Sequence, residues 1–304
     1  MKILYPFIAV ISLLSIFVSC TPDDVLERAS MQQSADSNYL SKIYQVDSIA
    51  GATIDTIMIS TYTYDNLKRV ISFTDSLFHT QGTVPVPMRG YFYYSGTDTL
   101  PYKTIEIIPT VDGDDSTIRY FFFDAHHLRK MDSVFTYQGP LGPTLRVLAK
   151  IYYSYSLGKI SDTSFESSIF QVYFYNKSDS AILDVNGNML YSSQSVYNGV
   201  NDSFLYRFIY TANYDNHPSP FVHLSNLKCR DIFPPRWAGF KDFPQNNNPL
   251  HLIEYIQGTT SHYDIDYTGH YLYNFAGYPK EISYLPTPNY PGRFSKLIFV
   301  YKTL

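Results

Sequence analysis

The sequence predicts an all-β fold: an antiparallel meander of successive hairpins forming a large curved sheet or open barrel, with a Pro-rich irregular excursion near the C-terminus. Three observations carry this. Aromatic residues make up 17% of the 304 positions, with 30 Tyr, while charged residues are only 16%. Such rings suit half-buried pleated surfaces, because Tyr packs its ring and keeps its hydroxyl wet. Short apolar runs are separated by polar turns, without the Ala, Leu, Glu and Lys runs of a helical bundle. Finally, the stretch Tyr62-Thr-Tyr-Asp-Asn-Leu-Lys-Arg-Val-Ile-Ser-Phe73 returns in variants along the chain. It joins an aromatic strand end, a polar turn, a basic residue and a second apolar strand.

Met1-Lys2 followed by the apolar run Ile3 to Val18 reads as an export signal, since the run falls short of the roughly 20 residues of a spanning helix. Phe17-Val-Ser-Cys20, followed by the polar Thr21-Pro-Asp-Asp24, resembles the lipobox of bacterial lipoproteins. That resemblance implies a signal peptide over 1–19, lipid attachment at Cys20, and an outer-membrane lipoprotein. Asp23-Asp24 looks like the export signal of Bacteroidota-type surface lipoproteins, which extends the expectation to surface exposure. With Cys20 acylated, Cys229 has no disulfide partner and reads as a small buried apolar residue. Residues 20–40 carry few large apolar groups and read as a flexible tether, with room for a short helix over 24–33. A single hairpin-repeat domain is expected over 41–304.

Strands are expected over 43–49 and 54–64, joined by Ala50-Gly51-Ala52, and then over 70–77 after the turn Asp65–Arg69. The pattern repeats at Tyr91–Tyr94 with Lys103–Ile108, and at Tyr120–Asp124 with Arg129–Val134. It returns at Ile151–Tyr155 with Lys159–Asp162, at Val172–Asn176 and at Ile182–Tyr191, where Asn186-Gly187 signals a two-residue hairpin. Phe204–Tyr210 is a further aromatic strand. Unit starts lie about 20 to 35 residues apart, so neighbours in sequence should pair.

From Asn213 to Pro249 the texture changes, with Pro218, Pro220, Pro234, Pro235, Pro244 and Pro249 in one segment. Proline lacks the ladder donor, so this segment is expected to be a cap or functional loop around a short helix at 221–230. Strands resume over 250–257, 262–267, 271–274, 281–285 and 297–301. In Tyr271-Leu-Tyr-Asn-Phe-Ala-Gly-Tyr-Pro-Lys-Glu-Ile282, Gly277 stands where Lys68 stood, a place that favours positive φ.

Tyr64-Asp65 with Arg69, and Tyr273-Asn274 with Gly277, look like the YD-type hairpin repeats of bacterial surface proteins. The first lacks the turn glycine and the second lacks the aspartate. The C-terminal third, with Tyr214-Asp-Asn-His-Pro-Ser-Pro-Phe221 and Asn247-Asn-Pro-Leu250, is similar to Bacteroidota outer-membrane lipoproteins of unknown function. The resemblance implies an outer-membrane β protein and carries over no catalytic residue.

No zinc-protease, nucleophile-elbow, paired-cysteine or phosphate-loop motif is present. Ser156-Leu-Gly-Lys159 has serine–lysine spacing but reads as a hairpin turn. Asp112-Gly-Asp114-Asp115 gathers carboxylates of the kind calcium takes, yet suits a solvated turn. His262, Asp264 and Asp266 should share one strand face, with His270 folding back beyond Thr268-Gly269, the grouping a hydrolase would want. His126-His127 reads as a solvated turn. No metal, cofactor or catalytic residue is therefore expected. The net charge of −4 without a basic patch excludes a nucleic-acid partner. Rings on both faces of some strands suggest a Tyr surface for a glycan or an envelope protein, with Tyr91, Tyr93, Tyr153, Tyr155 and Trp237 as candidate binding residues. A structural or lipid-handling scaffold is the alternative.

Overall fold

The structure is a computed structural model that describes residues 38–49, 55–77, 86–110, 113–139, 144–156, 159–168, 175–198, 203–223, 246–258, 262–286 and 293–304. The signal peptide, Cys20, the 24–33 helix and the Ala50-Gly51-Ala52 turn lie outside the described residues, as do Asp112, Cys229 and Trp237.

Among the described residues sixteen strands follow one another: β1 (Tyr39–Ile49), β2 (Asp55–Tyr64), β3 (Val70–Leu77), β4 (Val86–Tyr93), β5 (Lys103–Thr110), β6 (Gly113–Phe123), β7 (Arg129–Gln138) and β8 (Thr144–Ser156). The second half comprises β9 (Lys159–Ser168), β10 (Tyr175–Leu183), β11 (Met189–Asn198), β12 (Phe204–Pro218), β13 (Asn247–Gly258), β14 (His262–Tyr273), β15 (Pro279–Pro286) and β16 (Arg293–Lys302). Each pairs antiparallel with its sequence neighbours, and β1 pairs with β16 from Tyr39↔Lys302 to Ile49↔Arg293. The meander is as expected; the open sheet or open barrel is corrected to a closed one. Closure removes the unpaired edges that an open sheet would present.

A closed barrel sorts alternate residues inward and outward, which explains rings on both faces of one strand. Phe121 is buried at 4% exposure, and its neighbour Phe122 stands outside at 46%. Likewise Phe92 points in between Tyr91 and Tyr93. Inward packing is tight around Gly90, which pairs with Phe73. A Cβ on Gly90 would come within 1.8 Å of the Phe73 ring. Gly90→Ala should therefore cost about 1–3 kcal/mol by overpacking, read as a lower urea midpoint at unchanged slope. An unaltered midpoint would show that Phe73 can swing clear.

One end of the barrel carries the chain's entry into β1, its exit from β16 and the tight turns. Four of those turns share one conformation. Asp65, Asp124, Asp184 and Asn274 each accept, through Oδ1, the backbone N–H groups two and four residues on. The third residue after each is left-handed: Lys68, His127, Gly187 and Gly277 have φ of 62°, 60°, 78° and 83°. Asn186-Gly187 thus belongs to a five-residue turn rather than a two-residue one.

At the same end, six tyrosines among the described residues latch neighbouring strands. The hydroxyl of each donates to the main-chain carbonyl at the start of the preceding strand: Tyr64 to Leu40, Tyr94 to Val70, Tyr155 to Arg129, Tyr214 to Met189, Tyr271 to Pro249 and Tyr301 to Pro279, at 2.6 to 2.9 Å. Phe123 and Leu183, which precede Asp124 and Asp184 as Tyr64 precedes Asp65, have no hydroxyl to offer. Below the latches an apolar cluster drawn from opposite sides of the barrel fills this end. Leu40, Tyr210 and Leu252 are at 0% exposure, and Ala181, Ile282 and Leu297 at 1%. Residues lining a water-filled pore would be exposed; these are covered.

The Pro-rich segment is narrower than its composition suggests. β12 runs through Pro218, and β13 resumes at Asn247, taking Pro249 into the sheet. Between them, Phe221–His223 form a turn instead of the start of a helix, and residues 224–245 lie outside the described set.

Candidate functional site

Two arrangements of polar groups stand out from the wall. The first is buried inside. The Arg129 Nε donates to Asp132 Oδ1 at 2.7 Å, and a second guanidinium nitrogen meets Asp132 Oδ2. The guanidinium carbon lies 4.8 Å from the Phe121 ring centroid and 4.9 Å from that of Tyr153. Tyr153 also donates its hydroxyl to Asp132 Oδ2 at 2.9 Å. Arg129 and Asp132 are 4% and 0% exposed. Burial, with Arg129 and Arg119 opposing it and Asp132 and Asp162 adding to it, pushes the Tyr153 phenol far above its ordinary value. A charge pair stacked between rings and closed by hydrogen bonds is built to hold the wall together, not to meet a substrate.

The second arrangement anchors the long connection between β12 and β13. Asn248 sends its side-chain nitrogen to both Asp215 oxygens, at 3.2 and 3.1 Å, and its backbone N–H to Oδ1. The Tyr273 hydroxyl bonds the same carboxylate, and His217 stacks on Tyr273 at 4.1 Å. Burial, then the bond to Asp215 and its charge, raise the Tyr273 phenol, with Asn248 opposing. Asn247 and Asn188 exchange a pair of 2.9 Å hydrogen bonds, and Asn246 reaches the Asn186 carbonyl. On the other limb, His223 Nε2 lies 3.2 Å from the Tyr278 hydroxyl, and its ring sits 4.7 Å from that of Tyr39. Both feet of the 219–246 connection are therefore pinned to the turn end, beside the strand by which the chain enters the barrel.

The candidate binding residues do not form one surface. Tyr91 and Tyr93 point outward on β4, whereas Tyr153 and Tyr155 point inward on β8 with their hydroxyls engaged. Trp237 belongs to the undescribed middle of the connection. Neither is the His/Asp grouping assembled as expected. β14 runs straight through Thr268-Gly269, so His270 continues along the strand instead of folding back. Asp266 pairs with His251 of β13 at 2.5 Å on the outer face, and the side chains of His262 and Asp264 are outside the described set. Asp114 and Asp115 are consecutive residues of β6 and so face opposite ways, which breaks up that acidic group. Ser156 and Lys159 pair across a hairpin as expected, and His126-His127 is an exposed turn. Nothing in the spacing of Arg129 and Asp132 announces their pairing. The Asp215 anchor was signalled by Tyr214-Asp215, the same dipeptide as Tyr64-Asp65.

No protein-family model matches the chain, and no curated protein matches it. Among solved structures it is similar to a porin-like protein from Bacteroides vulgatus, at a TM-score of 0.51 and 14% identity, covering 88% of this chain and 100% of that one. A porin-like protein from Bacteroides uniformis also matches, at a TM-score of 0.36 and 10% identity over 86% of this chain and 98% of that one. The first likeness establishes a shared large β-barrel fold.

Proposed function

We propose that the protein is a non-enzymatic, lipid-anchored barrel of the outer membrane that binds a glycan or an envelope protein through the connection between β12 and β13. The observation that carries this reading is the anchoring of that connection. An Asn, Asp and Tyr network fixes both feet to a rigid wall, the arrangement expected of a binding loop on a scaffold. The Cys20 lipobox and the porin-like neighbour support an envelope location. The covered interior at the turn end argues for a frame rather than a channel.

Trp237 is the chain's one Trp and lies in this connection, so its emission reports binding directly. Titrating the protein with envelope oligosaccharides and with envelope proteins should shift that emission for one class, and Trp237→Phe should remove the signal and weaken binding. A panel that leaves emission unchanged and yields no complex would sink the reading.

A further inference from the structure

The barrel's outer face is not the same all round. Across β4 to β8 the register lines up Tyr91, Ile105, Ile118, Phe135 and Leu148 as one outward row. The row nearer the turns holds Tyr93, Lys103, Tyr120, Ser133 and Lys150, and Lys103 lies 5.1 and 5.5 Å from the Tyr93 and Tyr120 ring centroids. Flanking these rows, Phe122 and Tyr152 stand 46% and 45% exposed, and Arg89 adds a third cation. The area is about 20 Å each way from strand spacing and rise. Among the described residues of β4 to β8, Asp114 is the outward carboxylate, and it stands at the edge of this area farthest from the turns. The outer face of β13 to β16 is unlike it, carrying the half-buried His251–Asp266 hydrogen bond and the Lys296–Glu281 ion pair.

An exposed apolar face of this extent marks an interaction surface, and its chemistry selects the partner. Aromatic and aliphatic side chains bordered by Lys103, Lys150 and Arg89, with a single acid, Asp114, at the far edge, match the headgroup region of a bilayer containing anionic lipid. A second copy is a poor match, because a two-fold contact would set Lys103 and Lys150 against cations of the same patch. We propose that the β4–β8 face docks on an anionic lipid surface, so that the barrel lies with one flank on the membrane; this rests on the lipid-anchored reading above. The charged flank of β13 to β16 then faces water.

The test uses the lipidated protein in a Cys229→Ser background, spin-labelled at Tyr152→Cys or at Leu272→Cys, the latter a 60% exposed position on the opposite flank. The protein is attached to vesicles of phosphatidylethanolamine and phosphatidylglycerol, or of phosphatidylcholine alone. Access of a water-soluble nickel chelate to the label at 152 should fall several-fold on the anionic vesicles only, and Lys103→Glu with Lys150→Glu should restore it. The label at 272 should stay accessible throughout. Equal access at both positions on anionic vesicles overturns the docking face while leaving the anchor intact. Spin coupling between labels at 152 overturns it in favour of a second copy. Shielding of both labels means lipid surrounds the barrel, which overturns it too. Flotation with vesicles, abolished by Cys20→Ala, tests the anchor separately; if Cys20→Ala floats as before, the anchor reading falls instead.

Discussion

Raising the pH above about 10 should unfold this barrel in one steep step. Burial pushes the phenols of Tyr64, Tyr153, Tyr214, Tyr271 and Tyr301 far above their ordinary value of 10.0, with nearby charges contributing less. The sign follows from linkage: a folded-state pKa raised above the unfolded one contributes stability that is complete below pH 10. That contribution is lost as the pH climbs from the unfolded value towards the folded one, because only the unfolded chain can release the protons. Each group removes about 1.4 kcal/mol per pH unit, so the five together remove about 7 kcal/mol per unit above pH 10. Typical domain stabilities of about 5–15 kcal/mol place the transition between roughly pH 11 and 12. Four of the five are latch tyrosines whose hydroxyl must stay protonated to donate. Far-UV circular dichroism and phenolate absorbance should change together for this set. Gradual titration of all tyrosines near pH 10 with the fold intact would show the latches open to water.

The second large effect lies in the wall. Asp132→Ala leaves the Arg129 guanidinium buried between Phe121 and Tyr153 without its carboxylate, a cost of about 3–5 kcal/mol. The double replacement Arg129→Met with Asp132→Leu should recover most of that loss, since a buried ion pair is close to neutral against apolar residues of similar volume. Chemical denaturation of the three proteins gives the comparison. Equal stability of the single and double variants would mean that the pair is not isolated from solvent.

What could be read in the sequence is what is local. The turn at Asp65 is legible because its carboxylate bonds N–H groups two and four residues on, all within one stretch. Gly277 is legible for the same reason, since its φ of 83° is a demand made by the turn itself. Closure is not legible: the ladder between Tyr39–Ile49 and Arg293–Lys302 joins the two ends of the described chain, and neither segment says which partner it takes. The tyrosines before the turns are visible as a pattern, but the carbonyls they hold lie 22 to 26 residues back. Thr268-Gly269 misled because glycine usually punctuates; here Gly269 is a buried inward position in a continuous strand. For the binding residues, side-chain type was readable and side-chain direction was not. A closed barrel sends Tyr91 and Tyr153 to opposite faces.

The claim on which the rest depends is that the turn end of the barrel is filled. Ala181 faces inward there at 1% exposure. In a Cys229→Ser background, Ala181→Cys should resist a small water-soluble methanethiosulfonate reagent in the folded protein and react at once in denaturant. Rapid reaction in the folded state would show water reaching the heart of the cluster, and the barrel would then be open where it is described as closed.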